Sequence, residues 1–188
     1  MTLAEIKTLL SGEQYDFLRT NPHLGNNIVL LTLGGSYAYG TNIESSDVDI
    51  RGCALNSPTD LLGLTSFEQV VETKTDTTIY SFNKLVGLLL NCNPNVIELL
   101  GCKPEHYLVL TDTGQKLLDN RKLFLSKRAV NSFGGYAVQQ LRRLENALAR
   151  DRLPQAQTEE HIRMSMESAM SSFSERYGSF THGAIRLY

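Results

Sequence analysis

The stretch from Leu31 to Gly52 reads Leu-Thr-Leu-Gly-Gly-Ser-Tyr-Ala-Tyr-Gly-Thr-Asn-Ile-Glu-Ser-Ser-Asp-Val-Asp-Ile-Arg-Gly, and it is the most informative part of this sequence. An apolar run, Asn27 to Leu33, leads into it and has the length and β-branched content of a buried strand. Gly34, Gly35 and Ser36 then predict a tight turn with little side-chain bulk. Such a turn leaves backbone N–H groups free to bind an anion, most often a phosphate.

Two aspartates follow this turn on a second predicted strand, Val48 to Leu55. Asp47 and Asp49 are two residues apart, so the period of a strand places them on one face. Adjacent carboxylates repel each other, and a hard divalent cation such as magnesium or manganese relieves the repulsion while also binding phosphates. Arg51 continues on the face of Asp49, where it either stabilises phosphate or balances the carboxylates. The alternative interpretation is an ordinary turn followed by a solvated edge strand.

Taken together, these motifs resemble the signature of the DNA polymerase beta-like nucleotidyltransferase superfamily. Gly35-Ser36, a ten-residue gap and Asp47-x-Asp49 carry the resemblance. The fuller strings Gly-Ser-Tyr-Ala-Tyr-Gly-Thr and Ser-Asp-Val-Asp-Ile-Arg-Gly are similar to the predicted nucleotidyltransferases that include the phage RNA-ligase-associated group. Asp76-Thr-Thr-Ile-Tyr-Ser-Phe and Asn93-Pro-Asn-Val-Ile-Glu-Leu-Leu also fit that branch, and the resemblance extends over about residues 27–145.

The resemblance implies an α+β fold, with a twisted mixed sheet flanked by helices and a helical C-terminal part. It implies a catalytic domain over residues 1–120 and a helical region over 121–188 that is short for the family. It also implies that the turn holds the phosphates of a nucleoside triphosphate and that magnesium (or manganese) binds to carboxylates of the Asp-x-Asp motif and a third acidic residue. Asp76 fits this third position best, with Glu72 as the competitor and a simple turn aspartate as the alternative.

Three further residues are candidates for nucleotide binding. Tyr37 and Tyr39 each suit stacking on a base or packing beneath the turn, and the sequence does not say which of them packs. Lys84 lies off the apolar face of a helix predicted over Phe82–Leu90 with Ser81 as its cap, where it would reach a triphosphate or stay solvated. Glu98 stands among apolar residues of a following helix, either paired or functional.

Other elements follow from caps and periodicity. The pattern predicts strands over 67–73 and 77–80, a helix after Thr111, a long helical region over 123–152 with a break at Gly134-Gly135, and a last helix over 158–177. An apolar stripe on the long helical region and three methionines of the last helix are predicted to face the core. The stripe consists of Tyr136, Val138, Leu141, Leu144 and Leu148, and the methionines are Met164, Met166 and Met170.

Composition narrows the class of protein. The chain has 188 residues, 41% of them hydrophobic and 20% charged, which is typical of a globular domain. Three cysteines without metal-ligand spacing indicate reduced thiols, and the lack of a long apolar run or secretory signal predicts a cytoplasmic protein without a membrane segment. Residues 121–152 hold eight Lys and Arg against two Asp and Glu, which favours either a polyanionic acceptor or a solvated helix face.

We therefore expect an Mg-dependent nucleotidyltransferase that transfers a nucleoside monophosphate from a nucleoside triphosphate to a hydroxyl, with an RNA end as the favoured acceptor. Two alternatives remain open. One is a nucleotide- or metal-binding regulatory domain without catalysis, and the other is a toxin–antitoxin-type transferase that modifies a partner protein or a transfer RNA. The sequence does not set the oligomeric state or the nucleotide preference.

Overall fold

A computed structural model of the chain describes residues 1–152, 159–160, 162–168 and 170–171. Its centre is one five-stranded sheet in the order β3-β4-β2-β1-β5. Strands β2 and β4 are parallel and the other three neighbouring pairs are antiparallel, so the sheet is mixed as predicted. The strands are β1 (Ile28–Leu33), β2 (Ile50–Ala54), β3 (Gln69–Glu72), β4 (Thr77–Ser81) and β5 (Tyr107–Leu110).

Eight α-helices accompany the sheet in the described residues. Local signals set several of their ends: Ser81 accepts a hydrogen bond from the Lys84 N–H at the start of α5, and Thr111 caps α7 in the same way. The predicted bounds of α5 are confirmed. The helices are α1 (Leu3–Leu10), α2 (Phe17–Thr20), α3 (Gly35–Tyr39), α4 (Pro58–Leu61), α5 (Phe82–Leu90), α6 (Pro94–Ile97), α7 (Asp112–Asp119) and α8 (Arg128–Arg152).

Helices cover both faces of the sheet, and the buried core is divided accordingly. One cluster joins Ile6 of α1 to sheet residues such as Leu31 and Ile79. The other joins Val29 and Cys53 to side chains of α5, of the segment that follows it and of α7. The central strands β1 and β2 are therefore largely shielded from water on both sides, whereas the edge strands β3 and β5 keep exposed residues.

The structure corrects two strand predictions. Strand β2 begins at Ile50 rather than Val48, so Asp47 and Asp49 precede the strand instead of lying on its face. Strand β5 was not predicted, because its four residues are short and only partly buried at the edge of the sheet. It pairs with β1 through contacts that are far apart in the sequence, which local periodicity does not encode.

The prediction of a helix break at Gly134-Gly135 is wrong. Helix α8 runs through both glycines for 25 residues, and a Cβ added to either glycine would meet nothing within 4 Å. Each glycine destabilises the helix by about 1 kcal/mol relative to alanine, and the helix continues through both in spite of this cost.

The predicted burial of the stripe on α8 and of the methionines of the last helix is also wrong, since these side chains are exposed. Amphipathic spacing defines an apolar face, but it does not specify what covers that face. The last helix itself is confirmed where it is described, at 159–160, 162–168 and 170–171, and the rest of its predicted range lies outside the described residues.

The chain divides into two compact units, Met1–Tyr136 and Ala137–Tyr188. All five strands belong to the first unit. The functional boundary predicted at residue 120 stays a prediction. No helix among the described residues has the length and apolar character needed to cross a membrane.

Candidate active site

Strand register brings three segments together at one end of the sheet. In the antiparallel pair of β1 and β2, Leu33 faces Ile50, so the turn after Leu33 lies beside Asp49. In the parallel pair of β2 and β4, Ile50 faces Thr77, which places Asp49 beside Asp76. Two backbone hydrogen bonds hold this arrangement, from the Gly34 N–H to the Asp49 carbonyl (2.9 Å) and from the Ile50 N–H to the Asp76 carbonyl (3.1 Å).

The turn after β1 approaches Asp49 so closely that only glycine fits. Gly35 has a φ of +50°, a region that side chains rarely adopt, and a Cβ at this position would overlap the Asp49 carboxylate. Gly34 has more room, since an added Cβ would lie 3.2 Å from Arg51 Cγ and 3.3 Å from Asp49 Cβ, which is tight but not an overlap. The absence of side chains at these glycines therefore allows the turn to pack directly against the carboxylate, in addition to ending the strand.

Arg51 joins the two carboxylates that the register brings together. Its guanidinium Nη2 lies 3.3 Å from Asp49 Oδ1 and 3.0 Å from Asp76 Oδ1. The same side chain donates hydrogen bonds to the Ile50 and Asp76 carbonyls. Of the two roles considered for Arg51, the balancing of carboxylates is the one seen in this structure.

The two carboxylates titrate differently because their surroundings differ. Burial raises the pKa of Asp49 to about 6, with the hydrogen bond and negative charge of Asp76 adding to the rise and Arg51 opposing it. The hydrogen bond with Asp49 lowers the pKa of Asp76, and Arg51 lowers it further. A proton on Asp49 is therefore shared with Asp76, and a cation would replace that proton.

Asp47 lies slightly apart from this pair. It is exposed and lines a small cleft with residues 73–76, whereas Asp49 and Arg51 line a larger one. Its charge nevertheless contributes to the raised pKa of Asp49. In the described part of the chain, no three His, Cys, Asp or Glu side chains are grouped closely enough to hold a metal ion as they stand.

The larger cleft has a volume of about 680 Å³ and contains half of the predicted site residues. Gly34, Gly35, Tyr39, Asp49 and Arg51 all line it. Ser36 follows Gly35, and its hydroxyl is buried without a hydrogen-bond partner among the described residues. A buried hydroxyl without a hydrogen-bond partner destabilises the fold, and a ligand oxygen at this turn would accept its hydrogen bond.

The structure separates the alternatives for four other residues. Tyr37 is buried and packs beneath the turn, while Tyr39 is exposed in the cleft. Glu72 accepts a hydrogen bond from the Lys74 N–H (3.1 Å), whereas Asp76 is the acidic residue that meets Asp49. Lys84 is a correction: its Nζ lies 2.6 Å from Glu68 Oε2 in a different cleft, because α5 begins at the opposite end of β4 from Asp76.

The sequence did not identify the residues that form one wall of the cleft as part of the site. Asn95 and Glu98 line it, together with Phe133 and Tyr136. The available signal was the spacing of Asn95 and Glu98, which puts two polar side chains one helical turn apart in an otherwise apolar segment. Phe133 and Tyr136 had no such signal, since exposed aromatic residues on a helix look like core residues in a sequence.

The mixed sheet, with its Gly-Gly-Ser segment packed against Asp49, is consistent with the fold of nucleotidyltransferases of the DNA polymerase beta type. The chain matches the RNA repair pathway DNA polymerase beta family over residues 11–161, and it belongs to that family. The predicted relationship to this superfamily and to its RNA-repair group is confirmed. No curated protein and no solved structure gives a significant match. Membership of the family points to nucleotidyltransferase activity in RNA repair.

Proposed function

We propose that this protein transfers a nucleoside monophosphate from a nucleoside triphosphate to a hydroxyl group, with an RNA end as the acceptor. The observation that supports this most directly is the close approach of Gly34 and Gly35 to Asp49 in one open cleft, together with the Arg51 guanidinium that joins Asp49 to Asp76. The turn suits phosphate oxygens and the carboxylates suit a divalent cation.

The residues fit magnesium or manganese by their chemistry. Asp47, Asp49 and Asp76 present carboxylate oxygens against the single positive charge of Arg51, so the cluster keeps a net negative charge. Burial and the neighbouring Asp76 raise the pKa of Asp49 even though Arg51 opposes the rise, so a further cation would stabilise its charged form. Bound magnesium would supply Lewis-acid activation of the acceptor oxygen and charge neutralisation of the departing pyrophosphate.

The chain's own residues would position the reactants and move one proton. The Gly34–Ser36 turn and the Arg51 guanidinium hold the triphosphate, whose negative charge the guanidinium partly offsets. The acceptor oxygen forms a bond to the α-phosphorus while the bond to the bridging oxygen of pyrophosphate breaks. The proton that the acceptor hydroxyl releases passes to a carboxylate of the Asp49–Asp76 pair.

The test is incubation with each α-labelled nucleoside triphosphate, magnesium or manganese, and a pool of small RNAs. We expect label in RNA with the wild-type protein and a loss of at least about a hundredfold in Asp49→Asn, because one carboxylate of this pair is removed. Asp119→Asn makes the same chemical change at an exposed carboxylate of α7 and should retain full activity.

Other outcomes identify the two alternative functions. Label on a protein instead of RNA would indicate a transferase that modifies a partner. Nucleotide binding without label in either acceptor would indicate a regulatory binding domain. Transfer that persists undiminished in Asp49→Asn would contradict the assigned site.

A further inference from the structure

The cleft contains a second group of side chains, which the proposed chemistry does not use. Tyr39, Asn95 and Glu98 belong to it, and Phe133 and Tyr136 complete it. The three aromatic side chains are 62%, 38% and 36% exposed for Tyr39, Phe133 and Tyr136, respectively. All five residues lie in the first compact unit, so the group belongs to the same body as the carboxylates. We call these five residues the aromatic–acidic wall.

Helix α3 connects this wall to the paired carboxylates. Gly35, its first residue, contacts Asp49, and Tyr39, its last residue, lines the cleft with Glu98, whose carboxylate contributes to a raised pKa of the Tyr39 hydroxyl. Four residues of helix extend about 6 Å along the axis, which is roughly one turn. The wall therefore begins one helical turn from the reactive carboxylate, a separation comparable to a ribose ring between a phosphate and its base.

Charge fixes the direction in which a nucleotide would lie. Arg51 is positive and lies at the turn, where it contacts Asp49 and Asp76. Glu98 carries a carboxylate that accepts hydrogen bonds and donates none, and it repels phosphate. With a divalent cation on the Asp49–Asp76 carboxylates, a nucleoside triphosphate would place its phosphates beside Arg51 and its base near Glu98.

The polar side chains of the wall are arranged as hydrogen-bonding groups for a base edge. Asn95 and Glu98 are three residues apart on one helical segment, and both are exposed. Burial and the neighbouring Glu98 carboxylate raise the pKa of the Tyr39 hydroxyl. The Glu98 carboxylate keeps further lone pairs, and the Asn95 amide has no hydrogen-bond partner within the described residues.

We infer that the aromatic–acidic wall binds the base of the nucleoside triphosphate and selects a base that carries an exocyclic amino group. This inference rests on the proposed function. The amino group of adenine, cytosine or guanine donates to Glu98, Asn95 bonds to the adjacent edge atom, and the aromatic rings stack on the base. Uracil has one ring N–H flanked by two carbonyl oxygens, which would face the negative carboxylate and be repelled.

The experiment is a calorimetric titration of the four ribonucleoside triphosphates as non-hydrolysable α,β-methylene analogues, in the presence of magnesium. We expect the uridine analogue to bind most weakly, about tenfold more weakly than the best of the other three. In Glu98→Gln this ratio should fall below about threefold, because an amide both donates and accepts and tolerates uracil. Glu105→Gln is the matched control on an exposed glutamate and should keep the wild-type ratio.

Two variants at Tyr39 separate stacking from positioning. Tyr39→Phe keeps the ring and removes the hydroxyl that neighbours Glu98, so discrimination against uridine should weaken while overall affinity changes little. Tyr39→Ala should lower the affinity for all four analogues by about tenfold, because stacking does not depend on the base. Thermal unfolding of each variant confirms that the exposed substitutions leave the fold intact.

The outcomes separate this inference from the proposed function. Equal binding of all four analogues by the wild-type protein would overturn base selection, even if transfer occurs. Selective binding without any transfer would support base selection and count against the enzyme. Undiminished discrimination in Glu98→Gln would overturn the role of Glu98, and a failure to bind any analogue would overturn both proposals.

Discussion

Single residues at this site are governed by the balance between burial and charge. Asp49 is largely buried beside a second carboxylate, and one arginine serves both. Because burial penalises the charged form, the protein holds Asp49 in a state that favours a proton or a cation. The chemistry proposed for the cleft depends on this raised pKa, which also makes the free energy of unfolding depend on pH.

The first prediction concerns Asp49→Asn and pH. The pKa of Asp49 is about 6 in the folded protein, above the ordinary value of 3.8, so the folded state binds this proton more tightly than the unfolded state. The stabilisation is fully present below the ordinary pKa and is lost as the pH rises through 6. Asn does not titrate, so the stability of Asp49→Asn relative to wild type should rise by about 1 kcal/mol between pH 5 and pH 7.5.

Urea unfolding at both pH values, with chelator present to exclude metal, measures this difference. Asp119→Asn is the reference, since it removes a carboxylate that lies on the surface. If the difference in the free energy of unfolding between Asp49→Asn and wild type does not change with pH, folding does not raise the pKa of Asp49.

The second prediction compares two cations. Arg51→Gln should weaken triphosphate binding by at least about tenfold, because three carboxylates then face the phosphates without a counter-charge. Lys84→Ala should change binding by less than about twofold, since its ammonium is paired with Glu68 in another cleft. Titration calorimetry with a single nucleotide measures both, and an equal loss in the two variants would contradict the placement of Lys84.

At the scale of elements, the site depends on how strands β1, β2 and β4 are aligned. The turn, Asp49 and Asp76 are each at a strand end, and the pairs Leu33–Ile50 and Ile50–Thr77 place those ends side by side. A shift of one residue in either pair would separate Asp49 from the Gly34–Gly35 segment or from Asp76, because register sets which residues stand side by side. The apolar faces of the strands resist such a shift, since both are buried.

The third prediction tests the close approach of the turn to Asp49. Gly35 and Gly40 begin and follow the same short helix, and both have positive φ angles, +50° and +71°. A Cβ on Gly35 would overlap the Asp49 carboxylate, whereas one on Gly40 would meet nothing within 4 Å. Alanine at either position should cost about 1 kcal/mol of backbone strain, but only Gly35→Ala should also abolish transfer.

Chemical denaturation and the labelled-nucleotide assay together measure this pair. The two variants share the backbone penalty, so a difference in activity between them reports the contact with Asp49 alone. Full activity in Gly35→Ala would mean that the carboxylate position is not important for the reaction.

At the scale of the whole molecule, charge is distributed unevenly. Residues 1–120 hold seven Lys and Arg against fourteen Asp and Glu, while residues 121–188 hold eleven against six. An acidic site that binds a metal triphosphate and a basic region that attracts a polyanion are compatible in one enzyme that modifies RNA. The exposed arginines of α8 are the natural place to test this division.

The fourth prediction is that reversing the charge of Arg142 and Arg143 to Glu weakens RNA binding and lowers its salt dependence, while triphosphate binding stays within about twofold. Phosphate contacts dominate the affinity of basic surfaces for nucleic acid, so the slope of log affinity against log salt should fall by about one to two units. A control variant with Lys7 and Lys103 changed to Glu makes the same change in net charge elsewhere on the surface. Equal losses in both variants would point to a general effect of net charge.

The sequence by itself determined the elements whose signals are local and the family to which they belong. The bounds of α5, the end of β1 at Leu33 and the Asp-x-Asp motif could be read from caps, periodicity and spacing, because these depend on neighbouring residues only. The predicted simple turn after β1 is instead the start of helix α3 at Gly35. Tertiary structure alone decided which distant residues meet. The parallel pairing of β2 and β4 places Asp76, rather than Glu72, beside Asp49. Lys84 lies at the other end of β4 and pairs with Glu68, and Glu98 lies near Tyr39. Such contacts depend on long-range strand register and on which faces bury one another, and no local pattern records either.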